Sequence, residues 1–117
     1  MQSATSIQLI NERAKNTFNQ GGQSSVLTVD FRVSNKGPAH VAGIIFSSDF
    51  WGSRKEGVGT FQRFEGDSEV WQAVVSAPGF NVKFEYVIFC DDFRGVNTVP
   101  RIYNTNGGET FRPVASF

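Results

Sequence analysis

The run Tyr103-Asn104-Thr105-Asn106 puts one aromatic ring, two side-chain amides and a hydroxyl into four consecutive positions. A second run, Ser47-Ser48-Asp49-Phe50-Trp51, delivers two adjacent aromatics just past a turn. A large flat ring in a loop is costly to leave in water unless something stacks on it. Sugar rings combine apolar C–H faces with polar rims, so an aromatic platform beside amides is the chemistry of a sugar site. The competing reading of the first run is structural. Tyr103 would cap the core, and Asn-Thr-Asn-Gly would make a hairpin turn.

Other reactive side chains do not assemble into a catalytic pattern. Glycoside hydrolysis needs two carboxylates flanking a cleft, one with a raised pKa. Asp91 and Asp92 are neighbours in a loop and point apart, while Glu65, Asp67 and Glu69 read as solvated charges. Cys90 follows Val87-Ile88-Phe89 and reads as a buried strand residue. His40, the one histidine, sits beside a turn without a base or metal partner nearby in sequence. There is no nucleophile elbow, phosphate-binding loop, dinucleotide fingerprint or Cys/His metal spacing. The chemistry points to binding without catalysis, no cofactor and no metal.

Composition narrows the partners. Lys plus Arg and Asp plus Glu number 11 each in 117 residues, so the formal net charge is zero. No basic excess is present to neutralise a nucleic-acid backbone or an anionic membrane, and neither is expected as a partner. The longest apolar run is far short of the roughly 20 residues that span a bilayer. The start, MQSATSIQL, lacks the charged and apolar regions of a signal peptide. A single cysteine excludes an internal disulfide, which fits a reducing compartment such as the cytoplasm, or a module of a larger secreted protein that does not rely on crosslinks.

The elements that must position these residues read as short strands within one domain spanning 1–117. Twelve Phe and twelve Gly spread along the chain indicate strands joined by tight turns. Val26 to Val33 alternates with period two, as do Glu69 to Val75, with Trp71 on the core side, and Asn81 to Cys90. Ser6 to Asn11, Val41 to Phe46, Phe61 to Phe64, Arg101 to Tyr103 and Thr110 to Arg112 are further strands. Asn11 to Phe18 offers at most a turn or two of helix. Asn19 to Ser25, Gly52 to Gly59 and Asp91 to Pro100 read as loops. Seven or eight such strands predict an all-β antiparallel β-sandwich, immunoglobulin-like in architecture.

On this frame the motifs resemble a known family. Val33-x-Asn35, then Phe46, Asp49 and Trp51 without a gap, is similar to the V-x-N … D-x-W run of family 21 carbohydrate-binding modules. These are the starch- and glycogen-binding domains of fungal glucoamylases and of glycogen-targeting phosphatase subunits. Val70 to Val75, Val82 to Val87 and Tyr103 to Phe111 resemble the family's later strands and its closing W/Y-D-N-N-x-G-x-N-Y signature. The resemblance covers about residues 27–111. The closing stretch departs from the family's, with Asn104 for Asp, Thr105 and Thr110 for Asn, and Phe111 for Tyr. Several amides are thereby replaced by weaker donors or none. The 91–101 loop is also longer than the family's. Nothing before Leu27 matches the phosphatase-docking motif of the targeting subunits.

The resemblance implies a non-catalytic carbohydrate-binding domain for an oligosaccharide or polysaccharide, α-glucan first. Trp51 would be the stacking platform, Tyr103 a second ring, Asn104 and Asn106 hydrogen-bonding amides, and Tyr86 a weaker contact. Two alternatives stay open: a lectin for a different glycan on the same fold, and a protein-interaction domain such as a phosphatase-targeting module. Each net hydrogen bond contributes only about 0.5–1.5 kcal/mol, so useful avidity calls for several sites or a homo-oligomer.

Overall fold

In the computed structural model, which describes residues 6–34, 41–91, 101–104 and 113–115, eight strands form two four-stranded antiparallel sheets. The strands are β1 (Ser6–Asn19), β2 (Gly22–Ser34), β3 (Ala42–Ser47), β4 (Lys55–Val58), β5 (Thr60–Glu65), β6 (Ser68–Pro78), β7 (Glu85–Asp91) and β8 (Arg101–Asn104). One sheet runs β1-β2-β6-β5 and the other β4-β3-β7-β8. This is the expected β-sandwich, and the alternation of β2 is its clearest cause. Leu27, Val29, Phe31 and Val33 are fully buried, while Val26, Thr28, Asp30 and Arg32 on the other face are only half-buried. From β7 and the residue before it, Phe84, Tyr86, Ile88 and Cys90 close the core from the opposite sheet. Burying side chains of this size contributes roughly 1.5–3 kcal/mol apiece.

Two elements differ from the sequence reading. Asn11 to Phe18 is not a helical turn but the second half of a 14-residue strand, and the expected 19–25 loop shrinks to Gln20-Gly21 before β2 begins. The reason is a β-bulge: the register against β2 slips between Leu9 and Asn11. Ile7 and Leu9 face the core before the bulge, and Glu12, Ala14 and Asn16 face inward after it, so one period-two pattern never spans the strand. The second difference is β4, which lies inside the expected 52–59 loop. It is a mostly exposed edge strand paired to β3 through Gly43–Val58 to Phe46–Lys55. Glycine is required there by close approach. A Cβ on Gly43 would strike the Gly57 carbonyl, and one on Gly57 would strike Val75.

β7 begins at Glu85, four residues later than the expected strand start. Residues 82–84 instead bond to 113–115, through Phe84 N–H to Pro113 O (2.9 Å) and Ala115 N–H to Val82 O (3.0 Å). Asn35 of the V-x-N run and the expected strand at 110–112 lie outside the described residues.

The registers define one end of the sandwich. Ser24 pairs with Pro78, Ser47 pairs with Glu85, and Gly79 N–H reaches Gln23 O (3.1 Å). The β1–β2 turn, the β6–β7 connection and the loop after β3 therefore share that end, and the last of these carries Trp51.

Candidate functional site

The loop after β3 is built by three small polar side chains. Ser47, the last residue of β3, is 2% exposed. Its Oγ accepts the N–H groups of Asp49 (3.2 Å) and Trp51 (2.9 Å) and donates to Asp49 Oδ1 (2.7 Å). Asp49 in turn accepts the Ser53 N–H on Oδ1 (2.9 Å) and the Ser53 hydroxyl on Oδ2 (2.8 Å). The Asp49 carbonyl closes the turn by accepting from Gly52 N–H (3.1 Å). These donors hold the Asp49 carboxyl down at about 2, with the Ser53 amide as the largest cause and the Ser47 and Ser53 hydroxyls next.

The network drives the chain through an uncommon path. Phe50 (φ 57°) and Trp51 (φ 65°) are consecutive non-glycine residues in the left-handed region. Each such residue costs on the order of 1–3 kcal/mol and persists only where surrounding contacts over-determine it. The result is Phe50 75% exposed and Trp51 half-buried at the rim of the sheet. Lys83 Nζ lies 5.7 Å from the Phe50 ring centre, within cation–π range.

A second network fixes the neighbouring 79–82 turn. Buried Asn16 on β1 accepts the Asn81 N–H (2.7 Å) on Oδ1 and donates Nδ2–H to Asn81 Oδ1 (2.9 Å). The fully buried Ser25 hydroxyl lies 3.1 Å from Asn16 Oδ1 and 2.8 Å from the Gly79 carbonyl, and its oxygen accepts Val82 N–H at 3.3 Å. Asn81 tolerates the left-handed φ of 58° that this turn imposes.

The other expected site residues fall in different places. Tyr103 and Asn104 are on β8, paired by register with Phe89 and Ile88. Trp51 follows β3, and Tyr103 lies on β8 of the same sheet, with β7 between β3 and β8. Ser47 faces Glu85 while Tyr103 faces Phe89, which sets them about 13 Å apart along the strands and about 10 Å across them. Asn106 lies outside the described residues. Tyr86 is a core residue, fully buried, with its hydroxyl donating to the Glu12 carboxylate. Burial first, and Glu12 second, push that phenol far above its ordinary range. A ligand cannot reach its ring, because the inward positions of β7 are 86, 88 and 90.

Trp71 is half-buried against the core, as its alternation predicts, and its indole N–H donates to Glu69 Oε1 (3.0 Å). Its ring is also part of an exposed cluster that the sequence does not reveal. Phe61 stands edge-on to Trp71 with centres 6.1 Å apart, and Phe64 stands edge-on to Phe61 at 5.0 Å. Phe61 and Phe64 are 40% and 66% exposed. Three residues apart on an ideal strand, they would point to opposite faces. A register shift between Phe61 and Arg63 puts both on one face of edge strand β5.

The carboxylates read as solvated are mostly engaged. Glu65 is bracketed by the guanidinium groups of Arg32 and Arg63, which hold its pKa below the usual value. Glu69 is 8% exposed and accepts from Trp71. Among the described residues, no group of three His, Cys, Asp or Glu side chains is placed to hold a metal.

By sequence, the chain matches no protein-family model and no curated protein. By structure, it is similar to the solution structure of the carbohydrate-binding module of the muscle glycogen-targeting subunit of protein phosphatase-1. The sequences are 15% identical, the TM-score is 0.60, and the match covers 94% of this chain and 76% of that one. The likeness shows the fold that the two chains share, a two-sheet antiparallel β-sandwich.

Proposed function

We propose that the chain is a non-catalytic carbohydrate-binding module whose principal platform is Trp51. The observation that carries this reading is the Ser47–Asp49–Ser53 network. It holds two strained residues so as to bring Trp51 to the sheet rim, at a cost that core packing does not repay. The fold likeness to a glycogen-targeting module supports an α-glucan as the first ligand to test. Tyr103 on the same sheet supplies a second ring, and Asn104 and Asn106 supply amides for sugar hydroxyls. The exposed Phe61–Phe64–Trp71 cluster supports a further stacking surface.

Intrinsic fluorescence titration with a glycan library containing linear α-glucans tests the reading. Binding should shift the emission, and Trp51→Ala should weaken it about five- to tenfold, the loss of a stacking contact of about 1–1.5 kcal/mol. Tyr103→Ala should weaken it less. Wild-type affinity in both variants would place the site elsewhere.

A second reading has its own support in Phe50, 75% exposed beside Trp51. A protein-interaction surface would lose its partner in Trp51→Ala while no sugar changed the fluorescence.

A further inference from the structure

We propose that the glycan taken at the Trp51 platform is anionic, carrying phosphate, sulfate or carboxylate groups. This rests on the reading of Trp51 as a sugar platform and adds the class of sugar.

The balance of uncompensated charge at this end of the sandwich carries the inference. The chain as a whole is neutral, with 11 cations and 11 anions. Around Trp51 the two signs are treated differently. The loop lies at the end of β3, and its two neighbours in the sheet each bring a cation up beside it. Lys55 begins β4 opposite Phe46, and Lys83 stands two residues before Glu85, which pairs with Ser47. Arg54 lies between Trp51 and β4. Arg54, Lys55 and Lys83 are exposed, and none has a carboxylate partner among the described residues; Lys83 Nζ has only the Phe50 ring at 5.7 Å. Elsewhere Arg13 is paired with Asp30, and Arg32 and Arg63 with Glu65.

Of the acids at the same end, Asp49 keeps its full charge, since its three hydrogen bonds come from the neutral donors of Ser47 and Ser53, and it offsets one of the three cations. Glu85 is 3% exposed and has a partner of its own. Glu56 is also partnered, and by strand alternation it points to the face of β4 opposite Lys55. Beside Lys55 a notch of about 30 Å³ is lined by Ser48, Ser53 and Ser76 hydroxyls, with no carboxylate in its wall. That volume accepts a water or one oxygen of an oxyanion. By register Lys55 lies on the inner face of this sheet, opposite Phe46, and Lys83 on its outer face, so a glycan stacked on Trp51 at the strand end meets a cation on either face. A neutral sugar makes no use of them, whereas an anionic one gains attraction from each.

The test compares a neutral linear α-glucan with a phosphorylated α-glucan, dextran sulfate and polygalacturonate, from low salt to about 0.3 M. Exposed charge pairs each contribute modestly, so three together should give anionic chains about a tenfold advantage at low salt, falling to about threefold or less at high salt. The arms separate phosphate, sulfate and carboxylate as the favoured group. The combined variant Arg54→Gln, Lys55→Gln, Lys83→Gln should lose the preference and keep its affinity for the neutral glucan. Equal binding of neutral and anionic glucans at low salt overturns the inference and leaves the sugar platform standing. So does an anionic preference that survives the triple variant. Tight dextran sulfate binding that Trp51→Ala does not weaken also overturns it, as simple polyanion attraction. If no glycan of any kind binds, the inference falls together with the reading beneath it.

Discussion

At the scale of single residues, Asp49 matters more than its exposed position suggests. It bonds no core group, yet it connects Ser47 at the strand end to Ser53 across the loop, and so sets the path through Phe50 and Trp51. Its depressed pKa gives the pH dependence a definite sign. A carboxyl with a folded value of about 2 and an ordinary value of 3.8 contributes stability above about pH 4, and that contribution is lost as the pH falls toward 2. In a Trp71→Phe background the emission of Trp51 should therefore be constant from pH 7 to about 3 and change as the pH approaches 2, where the folded carboxyl takes up its proton. Asp49→Asn should show the altered emission at every pH, because its amide nitrogen cannot accept the Ser53 hydroxyl. Glycan affinity in that variant should fall severalfold, as the platform is no longer held in its left-handed turn. A pH profile identical to the parent's would remove Asp49 from this role. The pair Asp49 and Trp51 was legible in the sequence as a turn followed by stranded aromatics. The Ser47 and Ser53 bonds were not, because their meaning depends on the strand ending at Ser47.

At the scale of elements, clean alternation was legible and phase changes were not. β2, β6 and β7 were evident because one period-two pattern runs the length of each. β1 and β5 each contain a bulge, and the residue pairs across it seem to contradict a strand: Leu9 with Asn11, and Phe61 with Phe64. The bulge in β1 has a structural consequence, since it brings Asn16 onto the inner face, where it meets Asn81. Asn16 in NERAKNTF gives no sign of this in the sequence, as its partners are 9 and 65 residues away. Asn16→Ala should cost about 1–2 kcal/mol in chemical denaturation, since it removes the acceptor of the Asn81 N–H and one partner of the buried Ser25 hydroxyl at a part-buried site. It should also loosen the 79–82 turn and with it the position of Lys83. A loss below about 0.5 kcal/mol would mean that water replaces the asparagine and that the turn is fixed by its backbone alone.

At the scale of the whole molecule, the sandwich extends 50 × 29 × 25 Å and presents its aromatics at two separated places. Trp51 lies at the end where β6 finishes at Pro78, and the Phe61–Phe64–Trp71 cluster lies near the start of β6. The seven residues from Trp71 to Pro78 correspond to about 23 Å of strand. A short oligosaccharide stacked on Trp51 would not span that interval, but a long polysaccharide would. Two modest sites on one rigid body convert the second contact into an intramolecular event, which raises affinity only for ligands long enough to engage both. Phe61→Ala with Phe64→Ala should therefore leave the affinity for a short oligosaccharide within about twofold of the parent. The same pair should weaken binding to a long chain at least about tenfold, measured by calorimetry against the oligosaccharide and by co-sedimentation with the polysaccharide. The variant is expected to fold, because both rings are substantially exposed and neither belongs to the buried cluster of Leu27, Phe31 and Tyr86. Equal losses for short and long ligands would mean that the cluster acts through the fold. No loss for either would leave Trp51 and its sheet as the whole of the binding surface.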